Sequence, residues 1–101
     1  MKLYELKLLT VTCEILAQKN VIEILEKYKV SGYTICEVEG NGSKGIRGQG
    51  FKNDKNVKIE ILLSNAKMQQ VSEEIARTLF SNYAIILYVT DIQVLRPEKF
   101  T

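Results

Sequence analysis

The chain has 101 residues, 46% of them apolar, a formal net charge of +2 and no histidine. That length suits one domain around a single core, spanning 1–101, and a charge so small argues against a dedicated nucleic-acid binder. Cys13 and Cys36 make neither a C-x-x-C nor a metal-ligand spacing, and no stretch nears the roughly 18 apolar residues of a membrane span.

The start, MKLYELKLLTVT, alternates and lacks the apolar run of a secretory signal, so a cytoplasmic protein with small buried or half-buried thiols is expected. Residues 3 to 12 read as a strand rich in apolar and β-branched types. Residues 14 to 28 change period, with Val21, Ile22, Leu25 and Tyr28 at helical spacing. Asn20 is a weak helix former, so the first turn is expected to be irregular. YTICEV, 33 to 38, is a second strand entered through Gly32. VKIEILL, 57 to 63, alternates cleanly and is a third. Ser64 or Asn65 then caps a helix whose Met68, Val71, Ile75 and Leu79 share one face, with Ala66, Ala76 and Phe80 extending it. AIILYVTDIQV, 84 to 94, is a fourth strand, and Pro97 closes the ordered part.

The order β-α-β-β-α-β is the ferredoxin-like split βαβ pattern. It predicts an α+β fold, a four-stranded antiparallel sheet with two helices on one face. The last strand is apolar on both faces, with Ile85, Leu87 and Val89 on one and Ile86, Tyr88 and Thr90 on the other. The uncovered face therefore predicts an oligomer.

Residues 40 to 56 are the anomaly. They hold five of the six glycines and a formal charge of +3, while the rest of the chain sums to −1. A hairpin between the second and third strands needs only about two to five residues, and longer loops are usually functional or disordered. Gly40-Asn41-Gly42-Ser43-Lys44-Gly45 matches G-x-G-x-x-G, but Ile46-Arg47-Gly48-Gln49-Gly50 cannot open the helix that a dinucleotide fold requires, and no G-K-[ST] is present. The chemistry still suits an anion. Glycines let backbone N–H groups approach phosphate, Ser43 adds a hydroxyl, and Lys44 and Arg47 add charge. A solvated basic loop is the competing reading.

Catalytic machinery is not visible. No serine or cysteine has a plausible base, and Glu73-Glu74 point apart on their helix as a solvated face. Asp91 reads as a strand-edge or interface residue. The third strand lacks the aromatic residues of an RNA-recognition module, and the single thiol near the end of the first strand is no metal-carrier motif.

Four stretches together carry a resemblance. They are Ser31-Gly32-Tyr33-Thr34, Glu39-Gly40-Asn41-Gly42-Ser43-Lys44-Gly45-Ile46-Arg47, Asn56-Val57-Lys58-Ile59-Glu60-Ile61, and Ser81-Asn82-Tyr83-Ala84-Ile85-Ile86-Leu87-Tyr88-Val89. From about residue 5 to Phe100 the chain is similar to the PII-like signalling superfamily, in particular to the PII-like regulators of sodium-dependent bicarbonate transporters. The resemblance implies a homotrimer that binds an adenine nucleotide (AMP, ADP, ATP or cyclic AMP) in clefts between subunits. Its T-loop, here about 40–56, would then regulate a membrane transporter or an enzyme, with recruitment to the inner face of the membrane. It implies phosphate contacts from Gly42, Ser43, Lys44 and Arg47, and pocket walls from Thr34 and the Asn82-Tyr83-Ala84 turn. No catalytic residue, metal or obligatory cofactor is implied.

Departures shape these expectations. The loop has no tyrosine, so uridylylation is not expected. The T-G-x-x-G-D-G-K phosphate loop of nitrogen-regulatory members is replaced by Leu79-Phe80-Ser81-Asn82-Tyr83-Ala84, which argues against their ATP/2-oxoglutarate sensing. Lys44 stands where the bicarbonate-regulator branch tends to have arginine. The sequence ends at Thr101 without a cysteine-bearing extension, so a redox-gated nucleotide hydrolase is not expected. The alternative function is a ligand-independent trimeric interaction module.

Overall fold

The computed structural model describes residues 1–39, 55–96 and 98. Within them β1 spans Tyr4–Glu14 and leads through a 3₁₀ turn, Ile15–Ala17, into α1, Gln18–Lys27. β2, Tyr33–Val38, and β3, Asn56–Leu63, precede α2, Asn65–Leu79, and β4, Ile85–Val94, follows it. The strands form one antiparallel sheet in the order β2-β3-β1-β4. β3 separates the parallel pair β1 and β2, and β1 separates the parallel pair β3 and β4. The two βαβ units therefore interlock, as the element order predicts.

Register sets the two faces. Leu9 lies between Ile61 and Val89, Val11 between Ile59 and Leu87, and Cys13 between Val57 and Ile85. Residues directly opposite in an antiparallel pair share a face. This face packs with Ala17, Val21, Ile24 and Leu25 on one side and Val71, Ile75 and Leu79 on the other into a single core. Most of these side chains are fully buried, each worth roughly 1.5–3 kcal/mol in removed apolar surface. Burial first and the Glu14 charge second push the Cys13 thiol up to about 11, so it stays protonated and inert. Cys36, expected to be at least half-buried, is exposed because it sits on the opposite face of the edge strand β2.

The helices begin and end for local reasons. Ser64 is the N-cap of α2, its Oγ accepting from the Lys67 N–H at 3.3 Å. The apolar stripe of α2 is narrower than expected. Val71, Ile75 and Leu79 are buried, but Ala66, Ala76 and Phe80 are exposed, since the sheet spans only one side of the helix. The irregular start predicted for the first helix is the 3₁₀ turn. α1 ends in a Schellman motif, in which Val30 N–H donates to Leu25 O at 3.0 Å and Lys29 N–H to Glu26 O at 3.0 Å. Lys29 carries the left-handed φ of 56° that this motif demands.

Glu74, read from sequence as a solvated face, clasps the helices together. Its carboxylate accepts from Tyr28 OH at 2.5 Å and from Lys27 Nζ at 2.9 and 3.0 Å, with Arg77 Nη2 at 3.8 Å. The hydrogen bonds from Lys27 and Tyr28 hold the Glu74 carboxyl below its usual range and raise both of its partners. Asp91 pairs with Lys7 across the β1–β4 ladder.

Candidate functional site

β2 ends, β3 begins, β1 ends and β4 begins at one end of the sheet, side by side. The connection between β2 and β3 leaves from the pair Val38 and Asn56, with Lys55 Nζ 3.8 Å from the Glu37 carboxylate. The returning chain is then tied to β1, where Ile15 N–H donates to Lys55 O at 2.9 Å. Next along the same end comes the turn that joins α2 to β4.

That turn is pinned at both ends. Leu79 O, at the end of α2, accepts from Asn82 N–H and Tyr83 N–H, each at 3.1 Å. At the other end, Ala84 O accepts from Glu14 N–H at 3.3 Å, and Ala84 N–H donates to Glu14 Oε2 at 2.9 Å. Asn82 is exposed, Tyr83 and Ala84 are half-buried, and Tyr83 packs against the core. Exposed polar groups on a fixed turn suit ligand contact, because little ordering entropy remains to be lost on binding.

Thr34 lies elsewhere. It pairs with Glu60 four residues before the loop base, on the exposed face of β2. From the Asn82-Tyr83-Ala84 turn it is separated by about 14 Å across the sheet, three strand spacings, and by about 13 Å along it. One subunit thus keeps these two parts of the expected pocket apart. Gly42, Ser43, Lys44 and Arg47 lie outside the described residues, as does Pro97.

The face away from the helices follows the same register. Thr34, Glu60, Thr10 and Tyr88 form one row across it, and Cys36, Lys58, Thr12 and Ile86 the next. Its β4 side exposes Ile86 and Tyr88, while Leu6, opposite Ile92 further along the β1–β4 ladder, is buried. Thr10 Oγ1 is buried without a hydrogen-bond partner among the described residues. These residues hold no cluster of metal-ligating side chains, and none of their helices is long and apolar enough to cross a membrane.

Sequence reasoning missed Glu14, which it placed as the first residue of a helix. The structure makes it the last residue of β1, buried, with its carboxylate on the turn. An acidic residue closing an otherwise buried strand was the available signal, since a buried carboxylate needs a partner.

The interlocked βαβ units, with a long connection springing from the hairpin β2–β3, define a PII-like frame. A family model described as nitrogen regulatory protein P-II matches residues 6–99. The chain belongs to that family. A PII-like signalling protein from Thermus thermophilus is 33% identical over 100% of both chains, with a TM-score of 0.84. CPII from Thiomonas intermedia, bound to ADP and bicarbonate, is 30% identical, with a TM-score of 0.86 over 99% of this chain and 98% of that one. The same protein bound to ADP, AMP and acetate gives 29% identity and a TM-score of 0.83, again over 99% and 98%. The resemblance drawn from the S-G-Y-T, loop-base and N-Y-A stretches is borne out at the level of the superfamily, with CPII among the relatives.

Proposed function

We propose that the protein is a signal-transduction protein that binds an adenine nucleotide at clefts between the subunits of a homotrimer. Its T-loop, about 40–56, passes occupancy on to a membrane transporter of bicarbonate type or to an enzyme. The observation that carries this reading is the relative whose structure holds ADP and bicarbonate, which matches this chain nearly end to end. The sheet geometry supports the cleft, because Thr34 and the Asn82-Tyr83-Ala84 turn lie toward opposite edge strands of one subunit, so a pocket that uses both has to form across a seam between copies. The apolar Ile86–Tyr88 side of the uncovered face supports a trimer that buries it.

In this reading the turn and the loop base of one subunit contribute Asn82, Tyr83, Ala84, Gly42, Ser43, Lys44 and Arg47, and the neighbour contributes Thr34. The cationic loop residues neutralise phosphate, and the pinned turn supplies fixed polar groups. The ligand is regulatory rather than a cofactor, and the protein acts by binding, in the cytoplasm or at the inner face of the membrane.

Calorimetry with AMP, ADP, ATP and cyclic AMP tests it. At least one should bind, and silence with all four at millimolar ligand overturns the reading. Arg47→Ala should weaken the preferred nucleotide by ~2 kcal/mol if its guanidinium holds phosphate. Limited proteolysis separates the alternative: nucleotide should protect the 40–56 segment, whereas a ligand-independent interaction module would be cut equally with and without it.

A further inference from the structure

Glu14 occupies the junction of the site. Its backbone and that of Ile15 bond the two segments that flank it, Ala84 on one side and Lys55 on the other, at 3.3 and 2.9 Å. Its side chain adds a third tie, the carboxylate accepting the Ala84 N–H at 2.9 Å. Glu14 and Ala84 are thus joined twice, once through the Glu14 N–H and once through the Glu14 carboxylate. The residue is only 7% exposed, although a carboxylate is costly to bury unless it is bonded.

This placement has a physical cause. Beyond Glu14 the chain leaves the sheet for the 3₁₀ turn, Ile15–Ala17, so the β1–β4 ladder runs out where the turn from α2 arrives. The carboxylate carries the ladder one bond further. It meets the last of three consecutive amides that fix the turn, after the Leu79 carbonyl has taken the Asn82 and Tyr83 amides. Without it the α2 end would still be fastened, but among the described residues Ala84 itself would keep only the bond from the Glu14 N–H to its carbonyl, at the fraying end of the β1–β4 ladder.

We infer that Glu14 is the positioning residue of the nucleotide site, its carboxylate locking the Asn82-Tyr83-Ala84 turn beside the returning T-loop strand so that both address one ligand. This rests on the nucleotide reading above. Glu14 acts through the turn and not by touching the ligand. The bond to the turn asks for an acceptor oxygen at glutamate reach rather than for a negative charge.

Three variants separate these ideas. Glu14→Gln keeps the reach and an acceptor oxygen but no charge. Glu14→Asp keeps the charge but is one methylene short. Glu14→Ala keeps neither. Each is compared with wild type for ADP affinity, measured well below its own unfolding temperature, and for hydrogen exchange at the Ala84 amide. Glu14→Gln should retain affinity within about threefold and retain Ala84 protection, while Glu14→Asp and Glu14→Ala should each lose about tenfold or more in both. If Glu14→Ala does not fold, the Gln and Asp pair still decides. Loss of Ala84 protection with affinity unchanged would overturn the positioning role. Unchanged protection in Glu14→Asp and Glu14→Ala would overturn the anchor itself. Wild-type protein that binds no adenine nucleotide overturns the functional reading and this role together. The exchange data then still report on the anchor, so the two failures can be told apart.

Discussion

Glu74 shows how one carboxylate can join two helices. It takes the Tyr28 hydroxyl and the Lys27 ammonium from the end of α1 and lies within reach of Arg77 on its own helix. Because these bonds favour its ionised form, its folded-state pKa lies below the ordinary value. Such a group stabilises the fold above its unfolded pKa, and that contribution fades as pH falls through the lower, folded pKa. Thermal unfolding of wild type and Glu74→Gln should therefore differ most near neutral pH and converge in acid, as pH falls below the ordinary glutamate range and through the lowered folded-state pKa. A difference that stays constant from neutral pH into acid would show that the carboxylate's charge contributes nothing. Glu73-Glu74 looks in the sequence like any solvated acidic pair. Its meaning depends on where Tyr28 and Lys27 lie in space, 46 and 47 positions earlier in the chain, and one-dimensional spacing does not report that. The same holds for Glu14, whose partner amide is 70 residues away.

Elements were far more legible, because their signals are local. Alternation in 57 to 63 gives β3, the Met68–Leu79 stripe gives α2, and Ser64 supplies its cap. The strand β1 runs past the expected end at Thr12 to Glu14, since Cys13 and Glu14 continue pairing with β3. The end of α1 carried no signal of the usual kind, as its left-handed position holds Lys29 where glycine is favoured. Lys29→Gly should therefore stabilise the protein by about 0.5–1 kcal/mol in chemical denaturation, because the Schellman bonds are made by backbone groups that glycine keeps. The outcome reads the balance at this one residue. Relief of left-handed strain works for the variant, and the entropy of a freer unfolded chain and any lost side-chain contacts work against it. A destabilised variant would mean that the lysine side chain matters more than its φ.

At the scale of the whole molecule, the sequence pattern predicts the sheet and its uncovered face but not the separation of Thr34 from the 82–84 turn. That separation follows from strand order, which places β2 and β4 outermost. In the proposed trimer, a pocket built from Thr34 and the 82–84 turn belongs to no single copy, so damage to it can be shared out. Thr34→Glu spoils only the half that a subunit lends to its neighbour, and a negative charge placed on the turn, Asn82→Glu, spoils only the half that it keeps. Each variant alone should be nucleotide-blind. Co-refolded into mixed three-membered rings, the two defective chains should recover one working pocket per ring, read as a regained ADP stoichiometry. Pure rings should stay silent, and a blend that remains equally silent would mean that each chain carries its whole pocket. Inheritance of such a protein would then show interallelic rescue, a genetic trace of which strands lie outermost.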